Sequence, residues 1–218
     1  MQIAIALYPG FTALDAIGPY AVFTNVPGAD VVVCAERKGP LADESGLLHL
    51  DLTHTFDDAL APDLLLVPGG LVTRRLAAEG GAIVDWIRAA HETTTYTTSV
   101  CTGALLLGAA GVLDGLPATT HWIAYDHLRT YGAQPTEQRV VIEGKVATAA
   151  GVSAGIDLAL TLVDRLHGAE VAQAIQLGIE YDPQPPHDTG APSKAPAEIR
   201  DLVSAVMTEA EARLTSSG

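Results

Sequence analysis

Runs of apolar and β-branched residues recur at 3–7, 30–35, 64–67, 94–98 and 140–149, and helical patterns separate many of them. This alternation constrains the chain more than any other feature, because parallel strands need a long crossover between them and a sheet covered on both faces needs near-continuous apolar strands. The expectation is an α/β fold, a three-layer sandwich with a mostly parallel central sheet and helices on both faces. Helices are expected at 12–24, 82–91, 102–111, 122–131, 153–167, 169–178 and 198–215. After the second strand, "KGPLADESGLLHLDLTHTF" alternates Leu, His and Asp and reads as a short antiparallel ribbon at an edge. Residues 181–197 are rich in Pro, Gly and polar groups, so they read as an irregular arm leading to the last helix. The whole chain, 1–218, is expected to form one domain.

Composition narrows the partners. The 218 residues carry 12 Lys plus Arg against 26 Asp plus Glu, a net charge of −14 that repels phosphate backbones and anionic membranes. No segment offers the roughly 18 uninterrupted apolar residues of a membrane span, since "ATAAGVSAGIDLALTLV" contains Asp157. The opening "MQIAIALYPG" lacks a basic n-region and reads as a first strand, which places the protein in the cytoplasm as an expectation.

The two cysteines lie in different contexts, which argues against a disulfide framework or a thiolate metal cage. Cys34, in "ADVVVCAE", sits in a β-branched run where cysteine is usually a small hydrophobe. Cys101, in "TYTTSVCTGALLLGAAG", stands where a strand becomes a helix. A helix N-terminus presents unpaired N–H groups and a positive dipole end, so the thiol is expected to be acidified and reactive, with the Thr102 N–H close to the sulfur.

Two further segments belong at the carboxyl ends of parallel strands, where ligands collect. In "DLLLVPGG", Gly69 and Gly70 let backbone N–H groups approach a ligand. In "YPGFTALDAIGPYAVF", Asp15 falls in the first turn of an apolar helix whose Leu14 and Ile17 are expected to be buried. A carboxylate there must be paired or protonated; it either complements the helix dipole or serves as a general acid/base over the thiol. Among the histidines, His121 in "PATTHW" follows a short strand and either approaches the cysteine or is a satisfied structural residue. Ile17, Trp122, Ile123 and 151–153 are expected pocket walls. No cluster has zinc-ligand spacing.

"LDAIGPYAVF", "LLLVPGG", "SVCTGALLLGAAGVLDG", "ATTHW", "GVSAGIDLAL" and "QLGIEYDPQPP" resemble corresponding segments of the PfpI-like branch of the class I glutamine-amidotransferase-like superfamily, over almost the whole chain. The resemblance implies a flavodoxin-like sandwich, a homodimer and a cofactor-independent hydro-lyase acting on an isonitrile. It assigns the nucleophile to Cys101, the acid/base carboxylate to Asp15 and backbone donors to Thr102 and Gly70. Gly69, Ile17, His121 and Trp122 are the expected substrate contacts. PfpI-type peptidases carry histidine directly after the cysteine, where this chain has Thr102, and glutaminases carry a late His-x-Glu pair that is replaced here. Both departures weaken protease and amidase readings. Glyoxalase or deglycase chemistry on α-oxoaldehydes, in which the carboxylate is usually glutamate, is an alternative. A cysteine-based redox sensor is another.

Overall fold

The computed structural model describes residues 1–216, with side chains through 213. In chain order the elements are β1 (Gln2–Ala6), α1 (Ala13–Phe23), β2 (Asp30–Ala35), β3 (Gly39–Ala42), β4 (His49–Leu52), β5 (His54–Thr55), β6 (Leu64–Val67), α2 (Thr73–Glu79), α3 (Ala82–His91), β7 (Tyr96–Val100), α4 (Gly103–Ala109), β8 (Pro117–Ala118), α5 (Tyr125–Arg129), β9 (Gln134–Pro135), β10 (Val140–Glu143), β11 (Val146–Ala149), α6 (Ala154–His167), α7 (Ala169–Gly178) and α8 (Ala197–Ser216). The chain divides into two compact units, Met1–Ile179 and Glu180–Gly218.

In the first unit a seven-stranded sheet runs β10-β11-β7-β6-β1-β2-β5, parallel except for the β10–β11 pair. Its central strand β6, "LLLV", is buried throughout. Each fully buried leucine there contributes about 1.5–3 kcal/mol of transfer free energy. Helices α1, α6 and α7 pack together, and α2, α3 and α4 form a second group, giving the flavodoxin-like three-layer arrangement. The ribbon is real: β3 and β4 pair antiparallel, Gly39 opposite Leu52. In the second unit, 181–196 is irregular apart from turns, and Arg200 at the start of α8 donates to the carbonyls of Pro192 and Ala195.

Several expectations need correction. The run 140–149 is not one strand but a hairpin, because Gly144 adopts φ +55° and reverses the chain so that Glu143 pairs with Val146. The strand expected at 94–98 starts later, since the amides of Thr93 and Thr94 both donate to Ala90 O and are spent in the turn that ends α3. Residues 122–124 form a 3-10 turn before α5 begins. Helix α2 was not anticipated. Leu14 and Ile17 are 43% and 38% exposed, not buried. The inward face of α1 carries Asp15, Ala16, Gly18, Pro19, Val22 and Phe23, and it packs closely on α6. A Cβ on Gly18 would stand 3.0 Å from Ile156, and one on Gly155 would meet Pro19 at 3.1 Å.

Candidate active site

The segments that follow β1, β6, β7 and β11 meet around Cys101. Cys101 is the first residue beyond β7, and its φ of +56° is a left-handed conformation that a non-glycine residue holds only under constraint. Its N–H is shared between Ala149 O at 3.0 Å and Ala150 O at 3.1 Å. This bend takes the thiol out of the pleat of the sheet. The backbone N–H groups of Val152 and Thr102 and the Thr102 side chain lie where they favour negative charge on the sulfur.

Asp15 is fully buried in the first turn of α1. Its Oδ2 accepts from Gly69 N–H at 2.8 Å, and the carboxyl also interacts with the Cys101 thiol. Oδ1 is buried with no hydrogen bond of normal geometry. Burial raises the Asp15 pKa to about 7; the Gly69 hydrogen bond opposes this, the Glu44 charge adds to it, and the thiol contact again opposes it. The carboxyl therefore gains and loses its proton near neutral pH. The expected acidification of Cys101 is overturned: burial pushes the thiol up, the Asp15 carboxylate pushes it further, and the Val152 and Thr102 donors only partly compensate. A two-turn helix end does not outweigh desolvation here.

The glycines are required by close approach. A Cβ on Gly69 would lie 2.7 Å from Thr102 N and Oγ1 and 2.8 Å from Asp15 Oδ2. One on Gly70 would lie 2.4 Å from Gly10 O. The Gly70 N–H donates to Thr102 Oγ1 at 3.0 Å, and that hydroxyl lies 3.1 Å from Gly70 O, so Thr102 is locked to the second loop. Cys101, Asp15, Thr102, Gly69 and Gly70 therefore meet as anticipated.

His121 and Trp122 form the next layer. The imidazole packs against Gly151, where a Cβ would meet its Cδ2 at 2.7 Å, and stacks on Trp122 with ring centroids 5.8 Å apart. Its Nδ1 accepts from Ile123 N–H at 3.4 Å. Burial and then the Arg74 charge lower its pKa to about 4, so His121 is neutral near pH 7. Ile17 lies on the outward part of α1 and does not join Asp15 on the inner face.

Two residues, Tyr8 and Glu44, and the N–H of Val152, a residue expected only as a pocket wall, escaped the sequence reading. Val152 supplies its N–H through a strained φ of +30°, and nothing in its residue type marks that. Tyr8, fully enclosed, donates to Pro68 O at 2.6 Å, and burial followed by the charges of Asp15, Cys101 and Glu44 raises its pKa, so it is a neutral wall. Glu44, on the ribbon turn, accepts from Thr12 Oγ1 at 2.9 Å and adds negative charge near Asp15.

The profile of the DJ-1/PfpI family matches residues 1–165. An isonitrile hydratase of Pseudomonas putida is 43% identical over 201 residues, covering 92% of this chain and 87% of the relative. The HTH-type transcriptional regulator CdhR of Pseudomonas aeruginosa is 33% identical over 178 residues, and the match spans 51% of that protein. A crystal structure of a ThiJ/PfpI family protein from Pseudomonas syringae superposes with a TM-score of 0.89 at 38% identity, covering 97% of this chain and 89% of that one. Drosophila melanogaster DJ-1beta, at 18% identity and a TM-score of 0.74, shares the fold.

Proposed function

Because the chain belongs to the DJ-1/PfpI family, we propose its function within that family: it hydrates isonitriles, converting R–NC and water to the formamide R–NH–CHO. The observation that carries this reading is the meeting of the buried Cys101 thiol with the buried Asp15 carboxyl, with no imidazole acting on either among the described residues. The identity to the P. putida isonitrile hydratase supports the same substrate class.

The resting pair holds one proton above about pH 7, on sulfur, because the thiol pKa lies above that of the carboxyl. As the isonitrile enters, Asp15 takes the thiol proton and the thiolate attacks the terminal carbon. Asp15 then delivers that proton to the same carbon, which leaves a thioimidate, R–N=CH–S–Cys101, and a free carboxylate. Asp15 next deprotonates a water that adds to this carbon and passes the proton to nitrogen. The tetrahedral adduct expels sulfur, the hydroxyl proton returns to it, and R–NH–CHO leaves. No amine is expelled, so a thiol and one carboxyl suffice, with acid–base catalysis worth about 10²- to 10⁴-fold. The N–H groups of Thr102 and Val152 stabilise negative charge on sulfur as it forms and as it leaves. Neutral His121 and Trp122 wall the crevice, suiting an apolar R group.

The family resemblance also supports a homodimer, and Leu14, Ile17 and Tyr20 on α1 offer apolar surface for such an assembly. The wild-type chain supplied with cyclohexyl isocyanide is expected to release N-cyclohexylformamide. No product from a chain whose thiol is reduced and alkylatable would overturn the hydratase reading and direct the assay to α-oxoaldehydes.

A further inference from the structure

The segment "ATTHW" places a fully buried threonine, Thr120, beside the site, and the hydration chemistry makes no use of it. Thr120 has no solvent exposure, and its hydroxyl donates to the Cys101 carbonyl at 2.9 Å. The other donor to that carbonyl, Ala104 N–H, is at 3.4 Å, so Thr120 is its one short partner among the described residues. The geometry matters because Cys101 is held at φ +56°, and such a conformation persists only where its surroundings over-determine it. On the amide side of Cys101 the restraint comes from Ala149 O and Ala150 O. On the carbonyl side it comes from Thr120. The peptide group that carries this carbonyl also carries the Thr102 N–H that favours negative charge on the sulfur. Because the peptide is planar, rotating it would move the carbonyl off Thr120 and carry the Thr102 N–H away from the sulfur together.

Thr120 is well anchored for the task. The preceding Thr119 N–H donates to Thr148 Oγ1 on β11 at 2.9 Å, and Ala118 O accepts from Thr136 N–H at 2.8 Å. A valine would fill the same volume, so shape alone does not demand the hydroxyl.

We propose that Thr120 is a positioning residue: its hydroxyl holds the Cys101–Thr102 peptide in the orientation that keeps the Thr102 N–H on the sulfur. This rests on Cys101 being the nucleophile. The charged and titratable groups nearby are Asp15 on α1, which faces the sulfur, Tyr8 after β1, Glu44 on the ribbon beside Asp15, and neutral His121 next in the chain to Thr120.

The test compares Thr120→Ala with Thr120→Ser, which differ by a single oxygen. Iodoacetamide alkylation is followed at the Cys101 peptide across pH, beside kcat and KM for cyclohexyl isocyanide and thermal midpoints. The alanine variant is expected to alkylate about tenfold more slowly at pH 8, with its profile displaced to higher pH, and to lose about ten- to a hundredfold in kcat at unchanged KM. The serine variant is expected to recover both. Thr120→Val supplies the same deletion at native volume should the alanine variant not fold. A folded hydroxyl-deletion variant with the wild-type alkylation profile, or a serine variant as slow as the alanine one, overturns the proposal. A displaced alkylation profile in an enzyme that releases no formamide leaves Thr120 as the positioning residue and removes only the hydratase reading.

Discussion

Cys34 and Cys101 occupy nearly equivalent places in one parallel sheet, at the carboxyl ends of β2 and β7, and both are buried with thiol pKa values pushed upward. Cys34 is raised to about 12 by burial and then by the Asp58 charge. It lies inside its strand, in register with Ala6 and His54, and among the described residues its Sγ hydrogen-bonds only Ile5 O, at 3.8 Å. Cys101 stands one residue past its strand, turned out by a positive φ toward two backbone donors and a carboxyl. What separates them is not an acidic resting thiol, because neither has one. It is a directed set of contacts that can take the proton when substrate arrives.

That contrast can be broken at Asp15 with the largest effect. Asp15→Asn is expected to lose about 10²- to 10⁴-fold in turnover, since the proton acceptor is gone while an oxygen remains for Gly69 N–H. The same variant should be more stable than wild type at high pH. The Asp15 pKa is raised in the fold from 3.8 to about 7, so its favourable contribution is fully present below about pH 4 and is lost as pH rises through 7. At about 1.4 kcal/mol per unit, denaturation at pH 8 should favour Asp15→Asn by on the order of 4 kcal/mol, with the gap closing toward pH 4.

Steady-state kinetics sharpen the same point. The wild-type kcat/KM should rise about tenfold per pH unit below pH 7 and level off above it, as Asp15 gives up its proton; Asp15→Asn should lack that limb. Gly69→Ala forces a Cβ against Thr102 and Asp15 Oδ2 and should cost about 1–3 kcal/mol in urea unfolding, with reduced turnover. Thr102→Ser keeps the hydroxyl that bonds Gly70 and should leave kcat within about threefold of wild type.

Which parts were legible follows from where their signal resides. Strands such as "LLLV" announce themselves because burial on both faces demands continuous apolar residues. Asp15 was conspicuous as a carboxyl in an apolar helix, and "PGG" and Cys101 as small or nucleophilic residues at strand ends. The burial of Leu14 and Ile17 was misjudged because α1 turns the face bearing Asp15, Gly18, Pro19 and Val22 inward, which leaves Leu14, Ile17 and Tyr20 on its outer side. The hairpin at Gly144 was hidden inside one long β-branched run. The Val152 N–H could not be read at all, since a strained backbone leaves no mark in side-chain type. The thiol's direction of shift was missed because the dipole argument is local, whereas desolvation and the Asp15 charge depend on the assembled fold.

The most direct test of a reactive Cys101 beside an inert Cys34 is to measure formamide release from cyclohexyl isocyanide by Cys101→Ala and Cys34→Ala side by side. Cys34→Ala is expected to turn over like wild type and Cys101→Ala not at all. Formamide production by Cys101→Ala, or its loss in a folded Cys34→Ala, would contradict the assignment of the nucleophile.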